Sequence, residues 1–163
     1  MHEQVLYELT TRAVKLTRGS NTRVLVNGRF DIARDAGADG AHLNVGTFLE
    51  ILPQIQDSDF IVGISAHSEI EVEVADVLGA EFAVFGPVFD TESKRQYGPP
   101  QGLTRLRSVA GDYEIPVLAI GGITLDNVGA CFKAKARGVA AIRLLNDPEK
   151  LPEIAAEIRN RFG

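Results

Sequence analysis

A glycine pair, Gly121 and Gly122, stands between a short apolar run and a polar segment, and its position suits phosphate binding. Residues 116–120 read Pro-Val-Leu-Ala-Ile, which predicts a buried strand, and the pattern at 124–135 predicts a helix. Glycine has no Cβ atom, so both amides can face one concavity and a ligand can approach the backbone closely. The first amides of the following helix carry the positive end of the helix dipole, which favours a phosphate group. The alternative is that the glycine pair is only a tight turn.

Further apolar runs alternate with helical segments and would place the glycine pair in an array of strands. The strands are predicted at 23–27, 37–43, 60–65, 79–86, 116–120 and 139–144. The helices are predicted at 2–17, 31–36, 48–52 (ending before Pro53), 69–78, 103–109, 124–135 and 151–161. Continuous apolar strands that alternate with helices are typical of a parallel sheet covered by helices. The candidate architectures are a (β/α)8 barrel and an open doubly wound sheet, and both bind ligands at the carboxyl ends of the strands.

The place of the glycine pair favours the barrel. It follows the fifth visible strand and precedes the sixth, and barrels form a phosphate site from their last two loops. A complete barrel has eight strands, so the first two are expected to be missing, unless the sheet is open. A six-stranded remnant would leave two unpaired edges, and we therefore expect pairing with another chain, as a homo-oligomer or an aggregate.

Composition limits the classes of partner. The 163 residues, 45% of them hydrophobic and 24% charged, predict one globular domain over 1–163. The net charge of −5 argues against nucleic acid or an anionic membrane surface as partners. No apolar run approaches the ~20 residues of a membrane span, and the first residues do not form a signal peptide. The single cysteine, Cys131, suits a reducing compartment, so we expect a cytoplasmic protein.

Six short motifs, in order, resemble those of the thiamine phosphate synthase and TenI family. They are VLVN (24–27), GADGAHL (37–43), VGIS (62–65), FGPVFDTESK (85–94), PVLAIGGI (116–123) and GVAAI (138–142). The likeness covers nearly the whole chain and implies a (β/α)8 barrel in which this chain starts in the helix after the second strand. In synthases, the segment that would then be absent carries a glutamine, an arginine and a lysine that help to hold the pyrimidine diphosphate.

The resemblance implies that polar residues past two strand ends face the diphosphate or the thiazole. They are Ser65, Thr91, Ser93 and Lys94, which offer three hydroxyl donors and one mobile cation. The last three lie in residues 87–102, a stretch without clear periodicity, and so long a loop is more often functional than idle. The alternative is that these residues are turn hydroxyls and a solvated lysine.

The thiazole phosphate would be held near the glycine pair. By resemblance, Gly121, Gly122 and the amides near Ile142 and Arg143 would bind it. The family usually has a small residue at the end of that last strand. Arg143 is larger, so it would either pair with the phosphate or block the pocket.

The sequence departs from the family pattern at the positions where synthases hold magnesium. There, the strand that ends here at Asn27 continues with an aspartate, and the second strand is followed by glycine, glutamine and acidic residues. This chain has Gly28 and the segment 44–47 (Asn-Val-Gly-Thr) at those places. A hard cation on a diphosphate needs at least one or two carboxylates. We therefore expect no cofactor, unless the protein catalyses the synthase reaction, which would require magnesium. Asn27 is still expected to contact the substrate.

These departures favour the TenI-type reaction, a metal-free isomerisation of a thiazole phosphate. The base known in some TenI members lies at the place of Pro87, so His67, just past a strand end, is the available substitute, and Lys94 is the second catalytic candidate. His42 lies within a strand and is expected to be structural. The alternatives are the synthase, which joins hydroxymethylpyrimidine diphosphate to thiazole phosphate, and a non-catalytic binder of thiazole or thiamine phosphate or a fragment without function.

Overall fold

Six parallel strands form one continuous sheet, and helices connect each strand to the next. The computed structural model describes residues 2–55 and 59–162. The strands are β1 Leu25–Asn27, β2 Gly40–Asn44, β3 Ile61–Ala66, β4 Phe82–Phe85, β5 Val117–Ile120 and β6 Gly138–Ala140. The helices are α1 Glu3–Thr17, α2 Phe30–Asp35, α3 Val45–Ile55, α4 Glu69–Val77, α5 Gly102–Asp112, α6 Val128–Lys133, α7 Ile142–Leu145 and α8 Leu151–Phe162, and a 3-10 helix at Glu92–Tyr97 lies between β4 and α5.

The order of the strands in the sheet follows the chain from β1 to β6, and every neighbouring pair is parallel. A doubly wound sheet would instead reverse its order at a switch point. The six strands form a half-barrel, which confirms the predicted α/β class and the six visible β/α units. Within the described residues, β1 and β6 each pair on one side only.

Alternate residues of each strand point to opposite faces of the sheet. One face packs against the helices and forms the core, which includes Val26, Leu43, Ile64, Phe85 and Ala119. The opposite face is the concave inside of the half-barrel. It carries Asn27, His42, Ser65 and Phe82, which are half-buried or exposed. Polar side chains on this face therefore lie open to a ligand.

The predicted sixth strand at 139–144 is wrong beyond Ala140. The pairing of β6 with β5 ends where Ile120 meets Ala140, because β5 itself ends at Ile120. Ala141 remains extended, and α7 begins at Ile142. A short apolar run does not distinguish a strand from a helical turn, so the sequence alone did not show the change at Ile142.

The helix predicted at 124–135 begins only at Val128. Residues 124–127 instead form a turn that the Asn127 side chain closes. Its Oδ1 accepts a hydrogen bond from the Thr124 amide at 2.8 Å, and its Nδ2 donates to the Gly122 carbonyl at 2.9 Å. An asparagine that bonds to nearby backbone competes with helix formation. The helix dipole therefore does not begin at the glycine pair, contrary to the prediction.

The helix predicted at 48–52 is longer at both ends and passes through Pro53. It starts at Val45 because Asn44 Oδ1 accepts a hydrogen bond from the Thr47 amide at 2.8 Å. Pro53 lies two residues before the end at Ile55. A proline in the last turn removes only one hydrogen bond of the helix, so the helix ends shortly after it and not before it.

The stretch 87–102, predicted as a loop without clear periodicity, contains ordered structure. The amides of Val88 and Phe89 donate to the carbonyls of Ile120 and Gly121, at 2.8 and 3.0 Å, and extend the contact of β4 with β5. The 3-10 helix follows, and the Gln101 amide returns to the Pro87 carbonyl at 2.7 Å. The segment thus leaves the sheet and closes back on its own start.

None of the helices in the described part of the chain is long and apolar enough to span a membrane.

Candidate functional site

His67 is held in place from three sides at the carboxyl end of β3. Its ring Nδ1 lies 2.6 Å from the Gly86 carbonyl oxygen. Its backbone amide donates to Glu71 Oε2 at 2.7 Å, and its carbonyl accepts from Gln101 Nε2 at 2.8 Å. A carbonyl oxygen can only accept, so Nδ1 carries the proton and, in the neutral ring, Nε2 keeps the lone pair. The ring therefore has the tautomer and the fixed position that a general base needs.

The local sequence explains this geometry. Ser68 is the N-cap of α4, and its Oγ accepts a hydrogen bond from the Glu71 amide at 3.3 Å. Serine followed three residues later by glutamate is the capping-box pattern. Here the Glu71 carboxylate reaches back to the His67 amide and to Ser68 Oγ. The start of the helix thus fixes the backbone that carries the imidazole.

His67 and Lys94, the two predicted catalytic residues, line the same cavity of about 300 Å³. Pro87, Gly98, Pro99 and Gln101 complete its wall. The cavity lies beyond the carboxyl ends of β3 and β4, where parallel α/β proteins bind ligands. An imidazole and an ammonium group at one cavity suit an anionic ligand from which a proton is removed.

The 3-10 helix Glu92–Tyr97 positions Lys94. The Lys94 amide donates to the Thr91 carbonyl at 2.9 Å, and Thr91 precedes the helix as a half-buried residue. An ion pair between Asp90 and Arg95 spans the same turn, and it holds the pKa of the Asp90 carboxyl below its usual value. The side chain of Ser93, also predicted as a ligand contact, lies outside the described part of the structure.

Asn27 and Ser65, both predicted ligand contacts, meet at His42. His42 Nδ1 lies 3.2 Å from Asn27 Oδ1, and its Nε2 lies 3.3 Å from Ser65 Oγ. Burial lowers the pKa of His42, although a hydrogen bond to the Ile64 backbone partly opposes the shift. The sequence indicated only a structural role for His42. In the sequence, His42 lies between the apolar residues Ala41 and Leu43 of a predicted strand. This alternation indicated that the His42 side chain lies on the face of the sheet opposite to theirs.

The glycine pair connects two segments of the chain by close packing. Gly121 and Gly122 have positive φ angles of 97° and 65°. A Cβ atom on Gly121 would lie 2.5 Å from Pro87 Cβ, and one on Gly122 would lie 2.6 Å from the Asp90 carbonyl oxygen. Both positions therefore require glycine for conformation and for contact with the segment after β4. Phosphate binding at this pair remains a prediction.

Ile142 and Arg143, predicted to lie in the last strand with amides that bind the phosphate, lie instead in the first turn of α7. Ile142 is 78% exposed. Arg143 Nη2 lies 3.6 Å from Glu92 Oε2, and both side chains are at least three-quarters exposed. The pair joins α7 to the 3-10 helix, and an ion pair this exposed contributes little stability. The contact with Glu92 therefore restrains the Arg143 side chain only weakly.

The residues at the family's magnesium positions do not fit a magnesium site. Gly28 has no side chain, Asn27 Oδ1 faces the His42 ring, and Asn44 Oδ1 caps α3. Across residues 2–55 and 59–162, no group of three or more His, Cys, Asp or Glu side chains could hold a metal ion. Magnesium takes oxygen ligands, usually with carboxylates among them, and these positions offer no carboxylate.

A second cavity, of about 410 Å³, lies at the opposite ends of the strands. Its wall is mostly apolar and consists of Phe48, Leu52, Ile55, Phe60, Val62, Val77, Leu78, Gly79 and Glu81. The carboxylate of Glu81 accepts a hydrogen bond from the Val62 amide at 2.6 Å, so it serves the backbone. Barrels bind ligands at the carboxyl ends of their strands. The cavity with His67 and Lys94 is therefore the candidate site.

Comparison with known proteins shows similarity along most of the chain. The family model described as thiamine monophosphate synthase matches residues 1–145. The thiamine-phosphate synthase of Methanoregula boonei is 34% identical over 148 residues, which cover 90% of this chain and 68% of that protein. The thiamine-phosphate synthase of Chlorobium phaeovibrioides is 38% identical over 144 residues, 87% of this chain and 68% of that protein.

Solved structures give the same result for the fold. Thiamine phosphate pyrophosphorylase from Pyrococcus furiosus superposes with a TM-score of 0.80 at 28% identity, covering 98% of this chain and 77% of that one. A 3-hexulose-6-phosphate synthase superposes with a TM-score of 0.71 at 20% identity, covering 96% of this chain and 81% of that one. The second likeness is one of fold alone.

Proposed function

The chain belongs to the thiamine monophosphate synthase family, and we propose that it is a transferase that joins a pyrimidine diphosphate to a thiazole phosphate. The observation that carries this proposal is the similarity to relatives named thiamine-phosphate synthase, at 34–38% identity over most of the chain. These relatives favour the synthase reaction. The sequence alone had favoured the isomerase reaction.

In this reaction a C–O bond to the diphosphate breaks and a C–N bond to the thiazole nitrogen forms. The electron pair of the broken bond leaves with the diphosphate. Lys94, at the cavity, would stabilise that charge, and Arg143 could join it after releasing Glu92. Ser65, Thr91 and Ser93 are the proposed hydroxyl donors. Each of these roles is assigned to a side chain of this chain, because the family's magnesium positions carry no carboxylate here.

A second candidate function, the isomerisation of a thiazole carboxylate phosphate, is favoured by the geometry of His67. The Gly86 carbonyl fixes the proton on Nδ1, and Nε2 is left to accept a proton from a ligand carbon and return it elsewhere on the ligand. Lys94 would hold the phosphate at the same cavity. This reaction moves protons only and needs no leaving group.

One experiment distinguishes the two candidates. The purified chain is incubated with hydroxymethylpyrimidine diphosphate and thiazole phosphate, with magnesium or with excess chelator, and thiamine phosphate is measured as fluorescent thiochrome. In parallel, the thiazole carboxylate phosphate is incubated in deuterated buffer, and proton exchange is followed by NMR. Product in the first assay supports the synthase, and exchange in the second alone supports the isomerase. A ligand-induced rise in melting temperature with neither reaction would leave a phosphate binder and would refute both.

A further inference from the structure

We propose that an apolar stripe on α1, formed by Val5, Leu9 and Leu16, binds a second copy of this chain with the two α1 helices antiparallel. The resulting dimer is isologous, because the same surface serves both copies. It uses an outer helix and neither edge of the sheet, so it differs from the edge pairing expected from the sequence. The proposal concerns assembly and does not depend on which reaction the chain catalyses.

Exposed apolar side chains are concentrated on α1. In the described part of the chain, nine large hydrophobic side chains are exposed, and four of them lie on this helix. Val5, Leu9 and Leu16 are 46%, 50% and 77% exposed. They are four and seven residues apart, so at 3.6 residues per turn they lie along one side of the helix, and Tyr7 lies on the opposite side. Apolar residues exposed singly need no explanation, whereas a row of three on one helix indicates a contact surface.

The stripe is not the side by which α1 joins the rest of the fold. The helix packs mainly against α2. Its most buried position is Thr10, which is 5% exposed, and the half-buried Leu6 packs on the core. From the helical period, the stripe lies about 100° around the helix axis from these two residues. One flank of the apolar side of α1 is therefore open to another molecule.

The charges beside the stripe match a second copy in the antiparallel orientation. Glu3 and Glu8 lie in the first half of α1, and Arg12 and Lys15 lie in the second half. Glu3 pairs with Arg29 at 2.7 Å, whereas Glu8, Arg12 and Lys15 form no salt bridge within the described residues. Antiparallel copies bring the acidic half of one helix beside the basic half of the other. Parallel copies would place like charges side by side, which is unfavourable.

One register satisfies both the stripe and the charges. A two-fold axis between residues 10 and 11 places Val5 opposite Leu16 of the partner subunit, and the reverse contact follows from the symmetry. The two copies of Leu9 then lie about 4.5 Å apart along the helix axis, at 1.5 Å per residue. On one flank of the stripe, Glu8 lies between Arg12 and Lys15 of the partner subunit. The apolar row and the charged row thus match in the same arrangement.

A single pair of helices makes a small interface. The 15 residues of α1 span about 22 Å, and the stripe covers about 16 Å of that length. Specific interfaces usually bury about 800 Å² on each partner, which one such stripe does not reach. We therefore expect a weak dimer, with a Kd of roughly 10 to 100 µM.

Sedimentation equilibrium of the full chain from about 2 to about 300 µM tests the dimer. The mass should rise from 17.6 kDa toward twice that value. Leu9→Lys should raise the Kd about tenfold or more, because it removes an apolar contact and places a cation close to Arg12 of the partner subunit. Ile70→Lys, at a 70% exposed position on α4, is the matched control and should leave the Kd unchanged. A monomer at every concentration, or a dimer that Leu9→Lys does not weaken, would overturn the proposal.

Cross-linking tests the direction of the helices. Val5→Cys and Leu16→Cys are prepared separately, mixed and oxidised, and they should form a disulfide with each other, because the antiparallel register places these positions face to face. Either variant alone should cross-link little, since identical positions lie about 16 Å apart along the axis. The wild type controls for Cys131, which is buried. Cross-linking of Val5→Cys with itself as fast as with Leu16→Cys would show that the antiparallel pairing is wrong.

Discussion

The imidazole of His67 donates from Nδ1 to the Gly86 carbonyl oxygen across 2.6 Å, and this hydrogen bond connects the end of β3 to the end of β4. The same histidine is held through its backbone by Glu71 of α4 and by Gln101 at the start of α5. Four neighbouring elements therefore fix one ring. Such support is what a group needs when it must meet a reacting atom within a fraction of an ångström.

Replacement of His67 by glutamine should separate the two candidate reactions. If Nε2 is the base of the isomerase, proton exchange should fall by about 10²- to 10⁴-fold, the usual contribution of general base catalysis. The synthase reaction needs no base at this position and should keep most of its rate. The control is His2→Gln, at the exposed amino-terminal end. Proton exchange that is unchanged in His67→Gln would exclude this residue as the base.

Lys94→Met should weaken the binding of the phosphate substrate. The side chain lines the cavity with His67, and removing the cation removes an interaction with the phosphate or diphosphate. We expect about a tenfold or greater rise in KM, or a matching loss of kcat/KM, since each 1.4 kcal/mol of lost interaction is tenfold. Lys15→Met, on the exposed side of α1, is the matched control. Equal kinetics for the two variants would place the ligand elsewhere.

Alanine at Gly121 or Gly122 should destabilise the fold whether or not phosphate binds there. The new Cβ would lie within 2.6 Å of Pro87 or of the Asp90 carbonyl, at a positive φ angle. The expected loss in the free energy of unfolding is about 2–4 kcal/mol, from roughly 1 for the left-handed backbone and 1–3 for overpacking. Gly37→Ala, with φ of 69° and nothing within 4 Å, is the matched control and should lose about 1 kcal/mol.

Urea unfolding of the three variants measures this difference. Similar losses at Gly37, Gly121 and Gly122 would show that the contacts with Pro87 and Asp90 carry no strain. Thiazole phosphate added to the wild type and to each variant tests the phosphate prediction separately, because a ligand at about 100 times its Kd adds roughly 2.7 kcal/mol to a folded state that binds it.

Asp39 should make the stability of the fold depend on pH in the acid range. Its Oδ2 accepts from the Val24 amide at 2.8 Å and its Oδ1 accepts from Arg23 Nη1 at 2.9 Å. The Val24 hydrogen bond, with help from Arg23, lowers the pKa of Asp39 below its ordinary value of 3.8. The folded state thus favours the carboxylate, so its contribution is complete above the unfolded pKa and is lost as the pH falls through the lowered folded pKa.

Asp39→Asn is the corresponding variant. At pH 7 it should be less stable than the wild type by about 1.5 kcal/mol, the order of a hydrogen bond to a charged group. The difference should shrink below about pH 4, where the Asp39 carboxylate of the unfolded wild type begins to protonate. Asp35→Asn, a largely exposed carboxylate 3.8 Å from Arg34, is the control and should change little at any pH. A difference for Asp39→Asn that stays constant from pH 7 to pH 3 would contradict this account.

The sequence predicted the six strands and their parallel arrangement because each strand is a continuous apolar run between glycine-rich or polar turns. It failed where a side chain forms a local hydrogen bond that competes with the pattern. Asn127 delays the start of α6, and Asn44 advances the start of α3. The end of β6 depends on the length of its partner β5. The residue pattern of β6 alone gives no information about that length.

The sequence predicted individual residues of the candidate site but not which of them lie close together. The position of His67 and Lys94 past strand ends was visible in the sequence, whereas their shared cavity depends on Gln101 closing the segment after β4. The contact of His42 with Asn27 and Ser65 depends on the register of three strands. Gly121 packs against Pro87, which lies 34 positions earlier in the sequence. The sequence shows only the glycine pair and not this contact, so it suggested a ligand site where the structure shows close packing of two chain segments.

The strand order of the sheet, which follows the chain from β1 to β6, also bears on synthesis of the protein at the ribosome. Among the described strands, each one after β1 pairs with the strand made just before it, so that partner has already been translated. A ribosome adds about 5–20 residues per second, which is slow compared with the closing of the short loops between neighbouring strands. The sheet can therefore grow by one strand at a time in the order of translation, with its growing edge always at the most recently made strand.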